Sequence, residues 1–576
     1  MNNLGGISLA KKKLIYFLLI IGVILAIIGL IFNPSFVAKH LSHDGVLEKS
    51  TISDIYKLES FAITLGFIIC LYSLNKFTKS TFGKFNEAVF IHKIVLFGLI
   101  ITLLLLILPF LLYEVTRISY VNPIDYSEGW NTIHTTRLLH GKPLYVPLIT
   151  GFPLTPVNYP PLGFIIIGAL SYFIGLSVLQ TGRIVSLISL LFVGYLIYGI
   201  ITNFTSKKWG ALLGALMWVA LIARLAKDYV SMYNPQMLGH VFSLGALYFY
   251  SSRVNELTVR RACVLALLCC FALFIKFLLI AVPITLAISI FFNSRRYFGV
   301  FALAGIIISS LMIFGSWLYG REYFFSNIIG FESARLAWNM KMIINIRDLF
   351  ATHFAYVFFF PFIALLFNCQ RKWMSVPVYF SISFLLGSYF IRAHGVTVNA
   401  WFDFFISVAI VLGLLAAELI KPEIFWKRIL VCGVLASCLL PFFINLRGDL
   451  NEVLNYNRLK QQEKDYRTSV ELLRSIDGAA LFEEPLLGFD AGKEFLFDPF
   501  IGTDLIWSRR IPERVLTDAI REQKFGAIVF EVSLDKEELW THNIIKAIKD
   551  NYELLNLRYH SPYFFYTPRK KTHISW

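Results

Sequence analysis

Apolar runs of membrane length dominate this chain. Leu14–Phe32, Ile94–Leu112, Ile184–Phe204, Phe298–Tyr319 and Phe402–Ile420 each come close to the roughly 20 residues that a helix needs to cross a bilayer. In lipid, every backbone N–H and C=O must be satisfied within its own segment, and no alternating barrel pattern is present, so the runs predict helices. The expected fold class is an α-helical polytopic membrane protein. At 57% hydrophobic and 16% charged residues, an ordinary soluble enzyme is excluded. No small-residue cleavage site follows the first run, which reads as a span rather than a signal peptide.

A net charge of +16 could suggest nucleic acid as a partner, but the position of the charge argues otherwise. Much of the Lys and Arg falls in short clusters between spans, as the positive-inside rule predicts. The partner implied is the lipid bilayer, and nucleic acid is not expected. All seven cysteines lie in or beside apolar runs, none lies after residue 445, and Cys269-Cys270 is an adjacent pair without metal-type spacing.

Lys11-Lys12-Lys13 predicts a cytoplasmic N-terminus, and Lys76, Lys79, Lys84 and Lys93 mark the next cytoplasmic loop. Alternation then puts residues 113–161, 320–350, 392–401 and 446–576 outside. In the middle of the chain, Arg253, Arg260 and Arg261 look cytoplasmic, which requires 206–236 to dip in and return without crossing. The alternative lets 210–223 cross and makes 262–292 one long span. The first reading gives about 13 crossings. Three parts are expected. Residues 1–93 form an N-terminal hairpin with a cytoplasmic loop, and 94–445 form a transmembrane module with external loop 113–161. Residues 446–576 form a small soluble α/β domain, in which Pro512–Gln523 reads as a helix, Gly526–Val532 as a strand and Tyr559–Thr567 as a terminal strand or hairpin.

The external loop after the Ile94–Leu112 run reads Asn122-Pro123-Ile124-Asp125-Tyr126-Ser127-Glu128-Gly129. Asn122 suits an N-cap, Pro123 the first helical position and Gly141 a C′ stop, so 123–140 is predicted as a helix along the membrane face. Asp125 and Glu128, three apart, would then share a side. Such carboxylates can take a proton from an attacking hydroxyl, or hold a divalent cation between them. A solvated capping carboxylate is the plainer alternative.

Asp125-x-x-Glu128-Gly129, then Arg137, then Gly141-Lys142-Pro143-Leu144-Tyr145, then Tyr159-Pro160-Pro161-Leu162 resembles the first external loop of GT-C glycosyltransferases. The nearest branch looks like that of protein O-mannosyltransferases and aminoarabinose transferases, which take sugar from a polyprenyl-phosphate carrier. The resemblance covers about 40 residues and implies that Asp125, with Glu128 as rival, is the catalytic base or a metal-side carboxylate. It also implies substrate-binding roles for Arg137 and Tyr159. Two departures stand out: the extra hairpin over 14–75, and Tyr233-Asn234-Pro235-Gln236 where many relatives carry a second Asp, with Asp228 nearby but out of register.

Lys276 sits in the otherwise apolar stretch Phe271–Pro283, and an ionisable group there is costly unless it faces a cavity or a partner. The resemblance implies that Lys276 lies near the carrier phosphate. Arg392 could bind phosphate bidentately. His394 and Asn399, in the motif before Phe402, join it as candidate substrate-binding residues. His240, on an apolar helix, reads as a packed core histidine. The 320–350 segment has the composition of an interfacial amphipathic helix. The implied function is a bacterial inner-membrane glycosyltransferase, inverting and using a lipid-linked donor. Its acceptor would be an envelope glycolipid, polysaccharide or protein. The rival readings are a flippase or transporter of lipid-linked saccharide, and a non-catalytic carrier binder. Transporters tend to place ionisable groups within their spans and to show inverted repeats; here most ionisable residues lie in external loops and cytoplasmic clusters, and no inverted repeat is evident.

Overall fold

The computed structural model describes residues 87–147, 151–254, 256–330, 358–366, 373–391, 393, 395–418, 435, 438–443, 446–537, 539–556 and 561–569. The N-terminal hairpin, Arg392, His394, most of 320–350 and most of the final expected span therefore lie outside the described residues.

The apolar runs form helices. These are α1 (Glu87–Arg117), α2 (Tyr126–Leu139), α3 (Leu162–Ile174), α4 (Val178–Thr205), α5 (Lys208–Leu225), α6 (Gln236–Ser251), α7 (Val259–Ile275), α8 (Ala281–Asn293), α9 (Arg295–Gly320), α10 (Ser375–Phe390) and α11 (Phe402–Glu418). Five stretches of the described residues, Leu96–Arg117, Val178–Thr205, Lys208–Leu225, Arg295–Gly320 and Val398–Ala417, are long and apolar enough to cross a membrane. Their burial differs according to position. The Val398–Ala417 stretch is 94% buried and forms the centre of the bundle, whereas Arg295–Gly320 is 6% buried and turns apolar side chains outward nearly all round, as a lipid-facing helix does. α5 lies directly on α11. A Cβ on Gly210 would meet the Gly413 carbonyl oxygen at 2.7 Å, the close backbone approach that small residues permit between membrane helices.

One expectation for the middle of the chain needs correction, that 262–292 is one long span. Within 206–236, Lys208–Leu225 is a continuous 18-residue helix, long and apolar enough to cross a membrane, as the alternative expects of 210–223. The stretch 262–292, by contrast, is not one continuous helix. α7 stops at Ile275, Lys276 leaves helical geometry (φ −154°, ψ 122°), and α8 restarts at Ala281. The break frees the backbone around Lys276 and places its side chain at the bundle's polar end.

From Leu446 the chain is polar. α12 (Tyr456–Ser475) leads into β1 (Ala479–Phe482), α13 (Pro485–Asp490), α14 (Pro499–Trp507), α15 (Arg514–Arg521), β2 (Phe525–Phe530), α16 (His542–Asn551), β3 (Tyr552–Leu554) and β4 (Phe564–Pro568). The sheet order is β1-β2-β4-β3, with β1 parallel to β2 and the other two pairings antiparallel. The expected helix–strand pair appears as α15 and β2. β4 covers the end of the expected terminal strand.

This α/β unit packs onto the loops above the bundle, and one hydrophobic cluster joins Trp130, Leu154 and Phe164 to Phe482, Leu487, Phe497 and Ile528. Leu154 donates to the Leu496 carbonyl at 2.7 Å, and Asp498 donates back to the Leu154 carbonyl at 2.9 Å. Gly129 faces the start of α13 so closely that a Cβ there would collide with the Leu486 backbone nitrogen and the Glu484 carboxyl.

Candidate active site

α2 begins three residues later than the sequence suggests. Asp125, in extended geometry (φ −157°, ψ 155°), is the N-cap and accepts from Ser127 N at 2.9 Å. The helix ends at Leu139, and Gly141 follows at φ +67°. Residues 120–125 are drawn out of helical form by a buried ion pair. Arg183, near the start of α4 and fully buried, uses all five of its N–H groups. Its Nε donates to Glu128 Oε1 (2.9 Å), and one Nη2 hydrogen goes to Glu128 Oε2 (2.6 Å). The rest go to the carbonyls of Arg117 (2.8 Å), Tyr120 (2.6 Å) and Asn122 (2.8 Å).

Glu128 is equally committed. Besides Arg183, it accepts from Ile124 N and Tyr233 N, both at 2.8 Å, so each carboxylate oxygen holds two donors. Burial opposes its ionisation, but the Arg183 guanidinium and the backbone donors outweigh that and hold its carboxyl below the usual range. Glu128 and Asp125 therefore do not share a face. Glu128 points into the protein and ties the 120–125 loop to the 231–235 turn, while Asp125 stays exposed at the surface above it. This also bears on a metal between the two. Glu128 has no lone pair left for a cation, and among the described residues no three His, Cys, Asp or Glu side chains converge as a metal site. The residues present do not fit a divalent ion held by Asp125 and Glu128.

Two cavities meet at Asp125. The smaller, about 220 Å³, is lined by Asp125, Tyr126, Ser127, Asn158, Tyr159, Tyr229, Asn234, Thr397, Asn399 and Phe500, among others. Behind its wall lies the predicted cation. Lys276, 3% exposed, donates from Nζ to Gln236 Oε1 at 2.8 Å and sits 4.9 Å above the Tyr159 ring. Gln236 in turn donates to the Asn399 carbonyl (2.7 Å) and accepts from Asn399 Nδ2 (3.0 Å). Three residues singled out from sequence, Tyr159, Lys276 and Asn399, are thus brought together by Gln236, the residue standing in the stretch where a second Asp was missed. Among the described residues no carboxylate forms an ion pair with Lys276.

The larger cavity, about 590 Å³, is walled by Pro123–Tyr126 on one side and by the α/β unit on the other: Glu483, Glu484, Phe500, Glu531, Val532, Glu537, Leu539, Pro562 and Tyr563. The two walls are fastened by Asp498, fully buried, which caps α14 through Phe500 N (3.0 Å) and Ile501 N (2.8 Å). It also accepts from Tyr126 Oη (2.8 Å) and Trp130 Nε1 (2.8 Å) of α2. Burial pushes its carboxyl up to about 6, against the pull of these donors.

The remaining candidates lie elsewhere. Arg137 donates to Thr155 Oγ1 at 3.0 Å and lines neither cavity; it is about 18 Å along the helix from Asp125 at 1.5 Å per residue. Asp228 forms an ion pair with Arg117 at 3.5 Å, and Arg117 is also bound to the buried Glu114 at 3.2 Å. His240 is buried in α6, 3.8 Å from Asp403, which accepts from Tyr379 Oη at 2.6 Å. Sequence reasoning passed over Arg183 and Gln236. Arg183 carried a usable signal: a lone arginine heading an apolar run obeys the same logic that singled out Lys276.

No protein-family sequence model matches the chain, and neither does any curated protein sequence. Solved structures do match in fold. ArnT from Cupriavidus metallidurans bound to undecaprenyl phosphate aligns with a TM-score of 0.51 at 11% identity, covering 82% of this chain and 98% of that one. The same protein in the apo state gives 0.51 at 11% identity, over 80% and 97%. The chain shares the fold of these structures: a bundle of apolar helices, five of them long and apolar enough to cross a membrane among the described residues, carrying a small α/β unit.

Proposed function

We propose that this chain is an integral membrane glycosyltransferase that moves a sugar from a polyprenyl-phosphate carrier to an envelope acceptor. In this reading it resides in the bacterial inner membrane, with its N-terminus cytoplasmic and its α/β unit outside. The observation that carries the proposal is the position of Asp125. It is exposed, one of its oxygens takes no hydrogen bond from a described residue, and it is shared by two cavities on opposite sides. A reaction that joins two substrates needs such a junction, and a carrier binder does not. The neighbour's bound undecaprenyl phosphate supports a lipid-phosphate donor here.

The donor's phosphate would lie toward Lys276, with its sugar in the smaller cavity and the acceptor hydroxyl arriving beside Asp125 from the larger one. Asp125 takes the hydroxyl proton, and the acceptor oxygen attacks the anomeric carbon with inversion. The bond from that carbon to the phosphate oxygen breaks, and the polyprenyl phosphate departs with the electron pair. Lys276, held by Gln236 and set against Tyr159, is a fixed positive charge near the leaving group. Preorganised charge of this kind stabilises the transition state without reorganisation. Glu128 and Arg183 act as positioning residues that hold the loop bearing Asp125. Arg392 and His394 remain candidates for the phosphate side on sequence grounds.

The test is mass spectrometry of envelope glycolipids and glycoproteins from cells lacking the protein, complemented with wild type or Asp125→Asn. One species should lose a single sugar in the deletion, regain it with wild type, and fail to regain it with a correctly inserted Asp125→Asn. Equal restoration by both would leave Asp125 structural and favour a transporter or carrier binder.

A further inference from the structure

The Gln236 amide that joins Lys276 to Asn399 is also the end of a polar chain running into the helix bundle. Its orientation follows from its partners. Oε1 accepts from Lys276 Nζ (2.8 Å) and Asn399 Nδ2 (3.0 Å), and Nε2 donates to the Asn399 carbonyl (2.7 Å). Turned over, the amide would set donor against donor at Lys276 and acceptor against acceptor at the Asn399 carbonyl. One Nε2 hydrogen is then left over. The polar atom beside it is His240 Nε2, one turn further along α6, at 3.5 Å.

His240 can accept there only with its proton on Nδ1. Nδ1 makes no hydrogen bond among the described residues, but it faces Asp403 Oδ1 of α11 at 3.8 Å. That same oxygen accepts from Tyr379 Oη of α10 at 2.6 Å. Gln236, His240, Asp403 and Tyr379 are all buried. Asp403 lies within the Val398–Ala417 stretch, the most buried of the span-length helices, and the His240 ring lies 6.1 Å from that of Phe402. Apolar side chains would pack this centre without the cost of burying polar ones. Ionisable groups inside a membrane bundle usually mark a working part of the protein.

Resting on the transferase reading, we infer that His240, Asp403 and Tyr379 are positioning residues for Lys276. Tyr379 holds Asp403, whose oxygen keeps the His240 proton on Nδ1. The bare Nε2 takes the spare Gln236 hydrogen, and the amide is kept with Oε1 toward Lys276. A cation on a flexible four-carbon stem thereby gains a fixed place, and the carrier phosphate meets a charge that is already oriented. With its proton on Nε2, His240 would instead set N–H against N–H and turn the amide away from Lys276.

The experiment is native mass spectrometry of the full-length protein with undecaprenyl phosphate and, separately, with uncharged undecaprenol. The variants are Lys276→Met, His240→Phe, His240→Gln, Tyr379→Phe and the double variant His240→Phe with Lys276→Met. His240→Phe keeps a ring against Phe402 but offers no acceptor. It should weaken undecaprenyl phosphate binding roughly three- to tenfold, the weight of one neutral hydrogen bond, and leave undecaprenol binding unchanged. His240→Gln, whose side-chain oxygen can stand in for Nε2, should recover most of the loss. Tyr379→Phe deletes only a hydroxyl and should show the same pattern at smaller size, which serves as the reading if His240→Phe does not fold. In the Lys276→Met background, His240→Phe should have no further effect.

Equal loss of both lipids in His240→Phe, or a loss that adds to that of Lys276→Met, would make His240 a packing residue and overturn the inference. A loss in Lys276→Met with none in His240→Phe or Tyr379→Phe would remove the inference and leave the transferase reading intact. Wild-type binding by Lys276→Met would remove the phosphate side of that reading and the inference with it.

Discussion

Of the two cavities that meet at Asp125, the smaller is lined mostly by amides, hydroxyls and rings, with Asp504 its second carboxylate and the buried Lys276 behind it, and the larger is lined by five carboxylates and, among the described residues, by no basic side chain. The first is assembled from helix ends of the bundle. The second is assembled from turns of the α/β unit set against the 123–126 loop. A buried cation stands behind one side and a set of carboxylates lines the other, so in the proposed reading the leaving group belongs to the first side and the incoming nucleophile to the second. The contrast also separates Asp125 from Glu128. These carboxylates lie three residues apart in sequence, yet one faces both cavities and the other is locked beneath them.

The sharpest way to break that contrast is Asp125→Asn. Asn is as good an N-cap as Asp, so the melting temperature should be unchanged, while transfer should fall about 10²–10⁴-fold, the usual share of a general base. A matched loss of stability would mean that Asp125 only caps α2. Next in size is Glu128→Gln. It leaves the Arg183 charge buried and unpaired, which costs about 3–5 kcal/mol, read as a lower unfolding midpoint. The double variant Glu128→Gln with Arg183→Met should recover much of the midpoint and none of the activity. Recovery of both would show that the pair has no positioning role.

A smaller effect follows from the acidic wall. Burial pushes the Glu483 carboxyl up to about 8 from an ordinary value near 4.5, and it raises those of Glu484 and Glu531 as well. The folded state therefore binds more protons than the unfolded state between these values, and stability falls as pH rises from about 4.5 to 8. Hydrogen exchange over 479–537, corrected for intrinsic rates, should be slower at pH 5.5 than at pH 8. Faster exchange at pH 5.5 would contradict the raised values.

The membrane character was open to reading because apolar runs of span length have one solution in lipid, and α1, α4, α9 and α11 fall where those runs lie. Lys276 and Asn399 were legible for a related reason, since polar groups at the end of an apolar run must face something. The start of α2 was misread because Asn122-Pro123 carries a helix-start signature that the Arg183–Glu128 pair overrides, binding the loop's carbonyls and Ile124 N and holding it extended. The acidic cavity could not have been read. Its carboxylates come from turns more than 350 residues after Asp125, each resembling ordinary surface charge, and only the packing of α13 and α14 against α2 brings them to the site.

The claim that the two sides differ in kind is tested most directly by native mass spectrometry of the purified protein with undecaprenyl phosphate, comparing wild type, Lys276→Met and Glu531→Gln. The account predicts that wild type and Glu531→Gln retain the lipid equally, while Lys276→Met binds it roughly ten- to a hundredfold more weakly, the weight of one charged hydrogen bond. Retention by Lys276→Met at the wild-type level, or loss in Glu531→Gln, would contradict it.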